Sequence, residues 1–127
     1  MSPIKNMAGL EACGKYADAV YFGLDKLSMR AGIVNINLRN LKGVTKKCRD
    51  YGLKSYLTLN SVLYNKDLSE AEKIIKKAKE AKVDAVIVWD PAAIEMAKRI
   101  KVPFIISTQA NISNYKTALF YKKLGAK

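Results

Sequence analysis

The chain has 127 residues, 23 basic against 11 acidic side chains, no His, two Cys, and half of its residues hydrophobic. That composition can bury one globular core, and it excludes disorder, collagen-like repeats and coiled-coil fibres. The lack of His excludes Ser-His-Asp triads, His-ligated zinc and imidazole bases, while Cys13 and Cys48 are too few and too far apart for a CxxC pair or a four-thiolate cluster.

Hydrophobic periods predict short strands alternating with helices. A remnant strand precedes Pro3, and a short helix containing Gly9 runs from Asn6 to about Lys15. Asp18 to Gly23 reads as a strand rich in Val and aromatics. Leu41, Val44, Cys48 and Tyr51 mark a helix beginning near Asn37 and stopping at Gly52, with Gly43 in its interior. The strand Lys54 to Asn60 alternates, placing Tyr56, Thr58 and Asn60 on one face and Ser55, Leu57 and Leu59 on the other. From about Glu70 to Lys82, Ala71, Ile74, Ile75 and Ala78 form a helical stripe, and Ser69 with Glu72 reads as a capping box. Asp84 to Asp90 is the next strand, and Asp90-Pro91 starts a helix through Ile94, Ala97 and Ile100. Pro103 to Ser107 is the last strand, followed by a helix from Asn114 to Leu124 that ends at Gly125.

Four to five βα units at a spacing near 30 residues predict an α/β domain over 1–127, as a partial TIM-type (β/α) barrel or as a doubly wound flavodoxin-like sheet. Either arrangement places ligands beyond the carboxyl ends of the strands. Three sets of polar residues fall there. Asn60 either orients a substrate carbonyl or carboxylate, or caps a turn. Asp90, in phase with Val86 and Val88, is expected at the mouth beside Asn60, as a general base or cation ligand, or else as a helix cap. Ser107 to Asn114 packs polar residues behind an apolar strand, and Gln109, Asn111 and Asn114 suit a polar or anionic small molecule, or an ordered turn with Asx caps.

Arg30 is either a cation for a carboxylate or phosphate or a surface residue. Cys13, Cys48 and Trp89 read as core, with Trp89 between sheet and helix. No paired carboxylates of the glycosidase or aspartic-protease kind, no phosphate loop and no metal site are apparent.

The charge of +12 has two readings, a solvated surface or an RNA-facing patch. Nineteen of the cations are Lys and only four are Arg, which weakens base-specific recognition. With no apolar run near the ~20 residues that span a bilayer and no basic leader before an apolar core, the expected compartment is the cytoplasm, without a membrane partner.

Ala17 to Gly23, Ser28-Met-Arg-Ala31, Tyr56 to Asn60, Val83 to Pro91 and Ser107 to Asn114 resemble, in order and spacing, the N-terminal part of the collagenase-like peptidase U-32 family. The resemblance implies a TIM-like barrel and a nominal peptidase. It also implies relatives that take part in hydroxylation of transfer or ribosomal RNA or of the ubiquinone ring, with an iron-sulfur cluster on cysteines beyond the part matched here. Prephenate has been connected with the RNA branch. The sequence departs from the family pattern at Lys5, where Gly is expected, and at Gly32, where some relatives have a second Arg. A closed barrel usually takes about 250 residues. The expectation is therefore a truncated or split member that self-associates or pairs with a missing half. Its substrate is a peptide or small molecule, RNA is an alternative partner, and no cofactor is held within the segment. The alternatives are a component of tRNA or rRNA hydroxylation whose iron-sulfur half is missing here, and a non-enzymatic, self-associating βα module.

Overall fold

The computed structural model describes residues 1–29 and 36–127. Five strands, β1 (Ser2–Pro3), β2 (Ala19–Phe22), β3 (Lys54–Thr58), β4 (Ala85–Val88) and β5 (Phe104–Ile106), form one sheet in the order β1-β2-β3-β4-β5. Every pairing is parallel. Sequential order means that the winding never reverses, as in a barrel. The doubly wound alternative requires a switch point and is not what this sheet does.

Helices α1 (Met7–Cys13), α2 (Leu41–Asp50), α3 (Leu68–Ala81), α4 (Pro91–Ile100) and α5 (Tyr115–Leu124) join the strands. The register pairs Val20 with Ser55, Phe22 with Leu57, Leu57 with Val86 and Val86 with Phe104, so these side chains share one face. That face packs on Leu10, Leu41, Val44, Ile74, Ile75, Ile94 and Ala97 of the helices to form the core. Tyr21, Tyr56, Thr58, Ala85, Ile87 and Ile105 line the opposite, inner face, where Tyr21, Tyr56 and Ile105 are only half-buried.

α3 buries the expected stripe, extended by Ala81, and points its lysines outward. Its start differs from the expected capping box. Asp67, two residues earlier, accepts the Tyr64 N–H, and Ser69 lies exposed inside the helix. Glu72 instead turns sideways to Lys76 at 2.7 Å and Arg99 at 3.4 Å, and the hydrogen bonds from Lys76 and then Arg99 hold its carboxyl below the usual range.

α2 begins at Leu41, not near Asn37, because Asn37 accepts the N–H groups of Arg39 and Asn40 and locks a turn ahead of the helix. Gly52 (φ 68°) and Gly125 (φ 102°) supply the left-handed residues after α2 and α5. After α3 and α4 that role falls to Lys82 (φ 57°) and Lys101 (φ 62°), which no glycine signal in the sequence announces.

Each of two helix C-termini is also closed by a side chain of the preceding helix. Thr45 Oγ1 donates to the Ala81 carbonyl at 2.7 Å, and Lys79 Nζ donates to the Ile100 carbonyl at 2.7 Å. At the amino ends of the strands, Asp84 Oδ2 accepts both the Ser55 N–H (2.8 Å) and the Ser55 hydroxyl (3.1 Å), tying β3 to β4. These contacts place a stabilising layer at the end of the sheet opposite the polar strand termini.

Gly43 is exposed inside α2, and a Cβ built there meets no heavy atom within 4 Å. Gly43→Ala is therefore expected to stabilise the protein by about 0.5–1 kcal/mol, by removing backbone freedom from the unfolded chain. A thermal melt followed by circular dichroism checks this, and an unchanged or lowered midpoint contradicts it.

Candidate functional site

The carboxyl ends of β2, β3 and β4 are joined by a polar network. Thr58 Oγ1 donates to the Phe22 carbonyl at 3.2 Å, so the Ser28 hydroxyl, 2.9 Å away, donates to Thr58. Asn60 Oδ1 accepts the Met29 N–H at 3.2 Å, and the Asn60 carbonyl accepts the Trp89 indole N–H at 2.8 Å. Asn60 thus braces the loop after β2 through its Oδ1, and its side-chain NH₂ has no hydrogen-bond partner among the described residues.

Trp89 departs from expectation. It is in phase with Ile87 and Thr58 on the inner face and only half-buried, so it stands at the mouth and not between sheet and helix. The same phase relation displaces Asp90, which follows Val86 and Val88 toward the helix layer. Its Oδ1 accepts the Ala92 N–H at 2.9 Å, and its Oδ2 accepts the Leu63 N–H at 3.3 Å. Asp90 therefore caps α4 and clamps the loop leaving β3. It lies beside Asn60 in the order of strand ends, but both of its oxygens are engaged by backbone.

Beyond β5, Ser107 is buried, and its hydroxyl accepts the Gln109 N–H at 3.4 Å in a single 3-10 turn at Thr108–Ala110. Asn111 takes a left-handed conformation (φ 47°), and Asn114 caps α5 by accepting the Thr117 N–H at 2.9 Å and the Thr117 hydroxyl at 3.2 Å. Gln109 and Asn111 are exposed, and their side-chain amides have no hydrogen-bond partner among the described residues. Ile106, Ser107, Thr108, Asn111, Ile112 and Ser113 line a concavity of about 480 Å³ at this strand end. Because β3, β4 and β5 are neighbours in the sheet, Asn60, Asp90 and Gln109 are gathered at one end of it. Arg30 lies outside the described residues.

The arrangement offers uncharged donors and acceptors, a pair of hydroxyls and an indole, which suits holding a polar ligand more than breaking a bond in it. Cys48 is buried within α2, and burial pushes its thiol up to about 11. Cys13 is half-buried on α1. A cluster needs several accessible thiolates, so these two side chains do not fit an iron-sulfur centre. No helix among the described residues is long and apolar enough to cross a membrane.

The sequence model of peptidase family U32 matches residues 5–127. The chain belongs to peptidase family U32. Among U32 relatives, a collagenase of Porphyromonas gingivalis is 40% identical over 125 residues, covering 97% of this chain and 30% of its own length. A protease of Methanocaldococcus jannaschii is 39% identical over 97% of this chain and 30% of its own length. A tRNA hydroxylation protein of Bacillus subtilis is 30% identical over 98% of this chain and 30% of its own length. A solved U32 peptidase structure superposes with a TM-score of 0.72 at 16% identity, over 98% of this chain and 54% of that one, in agreement with the fold. The chain therefore spans about a third of the length of these curated U32 relatives.

Proposed function

We propose that this U32 chain supplies the substrate-holding strand ends of a peptidase-like enzyme, with Asn60, Gln109 and Asn111 hydrogen-bonding the amide groups of an extended peptide. The observation that carries this reading is the pair of unpartnered amides, Gln109 and Asn111, beside the concavity after β5. A carboxamide presents both a donor and an acceptor, which complements a peptide group without the desolvation cost of a charge. Trp89 contributes an apolar wall at the same mouth. Asp90 holds the site's shape by joining α4 to the loop after β3, and the described residues contain no nucleophile paired with a base. Bond cleavage is accordingly assigned to groups outside the described residues.

The test is binding of a gelatin-derived peptide to wild type and to a Gln109→Ala, Asn111→Ala double variant. Loss of two such hydrogen bonds is expected to weaken binding about tenfold, at roughly 1 kcal/mol or less for each bond. Equal affinity of the two proteins, or no binding to wild type, contradicts the reading.

The excess of cations favours a second reading, participation in RNA hydroxylation, in line with the relatives named tRNA hydroxylation proteins. In that case the amide-lined mouth holds a polar small molecule or an extruded base, and the lysine-rich flank holds RNA.

A further inference from the structure

A second concavity, of about 710 Å³, lies on the outer flank of the sheet, between α3 and the segments that precede and open α2. Among the described residues, Lys26, Arg39, Lys42, Lys73 and Lys77 line it, against two carboxylates, Asp25 and Glu70. Lys73 and Lys77, four residues apart, project from one face of α3 with a rise of about 6 Å between them. Lys73 meets Glu70 at a loose 3.8 Å, and Lys77 reaches Glu80 at 2.7 Å. Lys26, Arg39 and Lys42 are exposed and make no ion pair among the described residues. A concave surface whose cations outnumber its carboxylates raises the local concentration of any polyanion.

We propose that this groove is a docking surface for the phosphodiester backbone of single-stranded RNA, separate from the amide-lined mouth. Four lysines and one arginine suit a run of backbone phosphates met as point charges, without base readout. A membrane surface is disfavoured because, among the described residues, none of the large exposed apolar side chains lines the groove. The inference rests on the RNA reading above only for the choice of RNA over DNA.

The experiment measures fluorescence anisotropy of a labelled oligouridine with the full chain across a salt series. Wild type is compared with a groove variant (Lys26→Gln, Arg39→Gln, Lys42→Gln) and a control (Lys98→Gln, Lys122→Gln, Lys123→Gln), each removing three of the positive charges. Circular dichroism verifies that both variants remain folded. The groove variant is expected to bind at least about tenfold more weakly and to lose about two units of the log-log salt slope, with the control within about twofold of wild type. Equal weakening by the two variants overturns the groove but leaves RNA binding standing. Absence of wild-type binding at low salt overturns the RNA reading with it. Polyglutamate displacing RNA at matched charge concentration reassigns the groove to acidic peptides and also overturns the proposal.

Discussion

Leu57→Ala is expected to remove about 2–5 kcal/mol of stability, a large share of the total margin for a domain of this size. Leu57 is fully buried at the centre of β3, in register with Phe22 on one side and Val86 on the other. Its methyls are enclosed by sheet neighbours and by the helix layer, so truncation leaves a cavity that the parallel ladder cannot close by shifting one strand. Leu119→Ala is the comparison. Leu119 is 47% exposed on α5, a helix with no buried residue, and its removal is expected to cost within about 0.5 kcal/mol. Urea denaturation of both variants checks the contrast, and similar midpoints contradict the placement of the core on the helix-facing side of the sheet.

Asp90 gives the second large effect and separates two roles for one carboxylate. Asp90→Ala removes the acceptor of the Ala92 N–H and strands the Leu63 N–H, at a cost of about 1–3 kcal/mol. Asp90→Asn keeps an oxygen for the cap and forfeits only the charge at the start of α4, so its cost is expected to stay below about 1 kcal/mol, with peptide affinity unchanged. Both variants are read by denaturation midpoint and by gelatin-peptide titration. A stable Asp90→Asn protein that no longer handles substrate returns Asp90 to a reacting role.

Asp90 also shows where sequence reasoning reaches its limit. Asp90-Pro91 identifies a helix start, and the structure places a cap there. The face to which Asp90 belongs is another matter. β4 is Ala-Val-Ile-Val with all four residues buried, so alternation carries no polar signal to tell the helix side from the inner side. Only the register of β4 on β3, Leu57 opposite Val86, decides it, and register is a tertiary property. The same lack of a polar signal hides the inner-face position of Trp89. In β3 the alternation is genuine, and Leu57 and Leu59 pack on the helices while Tyr56 and Thr58 face inward, as the pattern predicts.

The remaining differences sit at helix starts. Ser69 with Glu72 has the spacing of a capping box, and Asn37 resembles a helix start, yet Asp67 and Asn37 each form a local turn that moves the boundary. Such Asx contacts compete with the helix over three or four residues and leave no distinct periodicity. The left-handed lysines after α3 and α4 leave none either.

The proposed function requires the polar groups gathered at the carboxyl end of the sheet to meet a ligand together. Backbone amide chemical-shift mapping of the chain titrated with a gelatin-derived peptide tests it most directly. The expected perturbations fall on Thr58 to Ser61, Trp89 and Ser107 to Asn114. Perturbations centred on Asp18, Lys54 and Asp84, at the opposite ends of the strands, would contradict it.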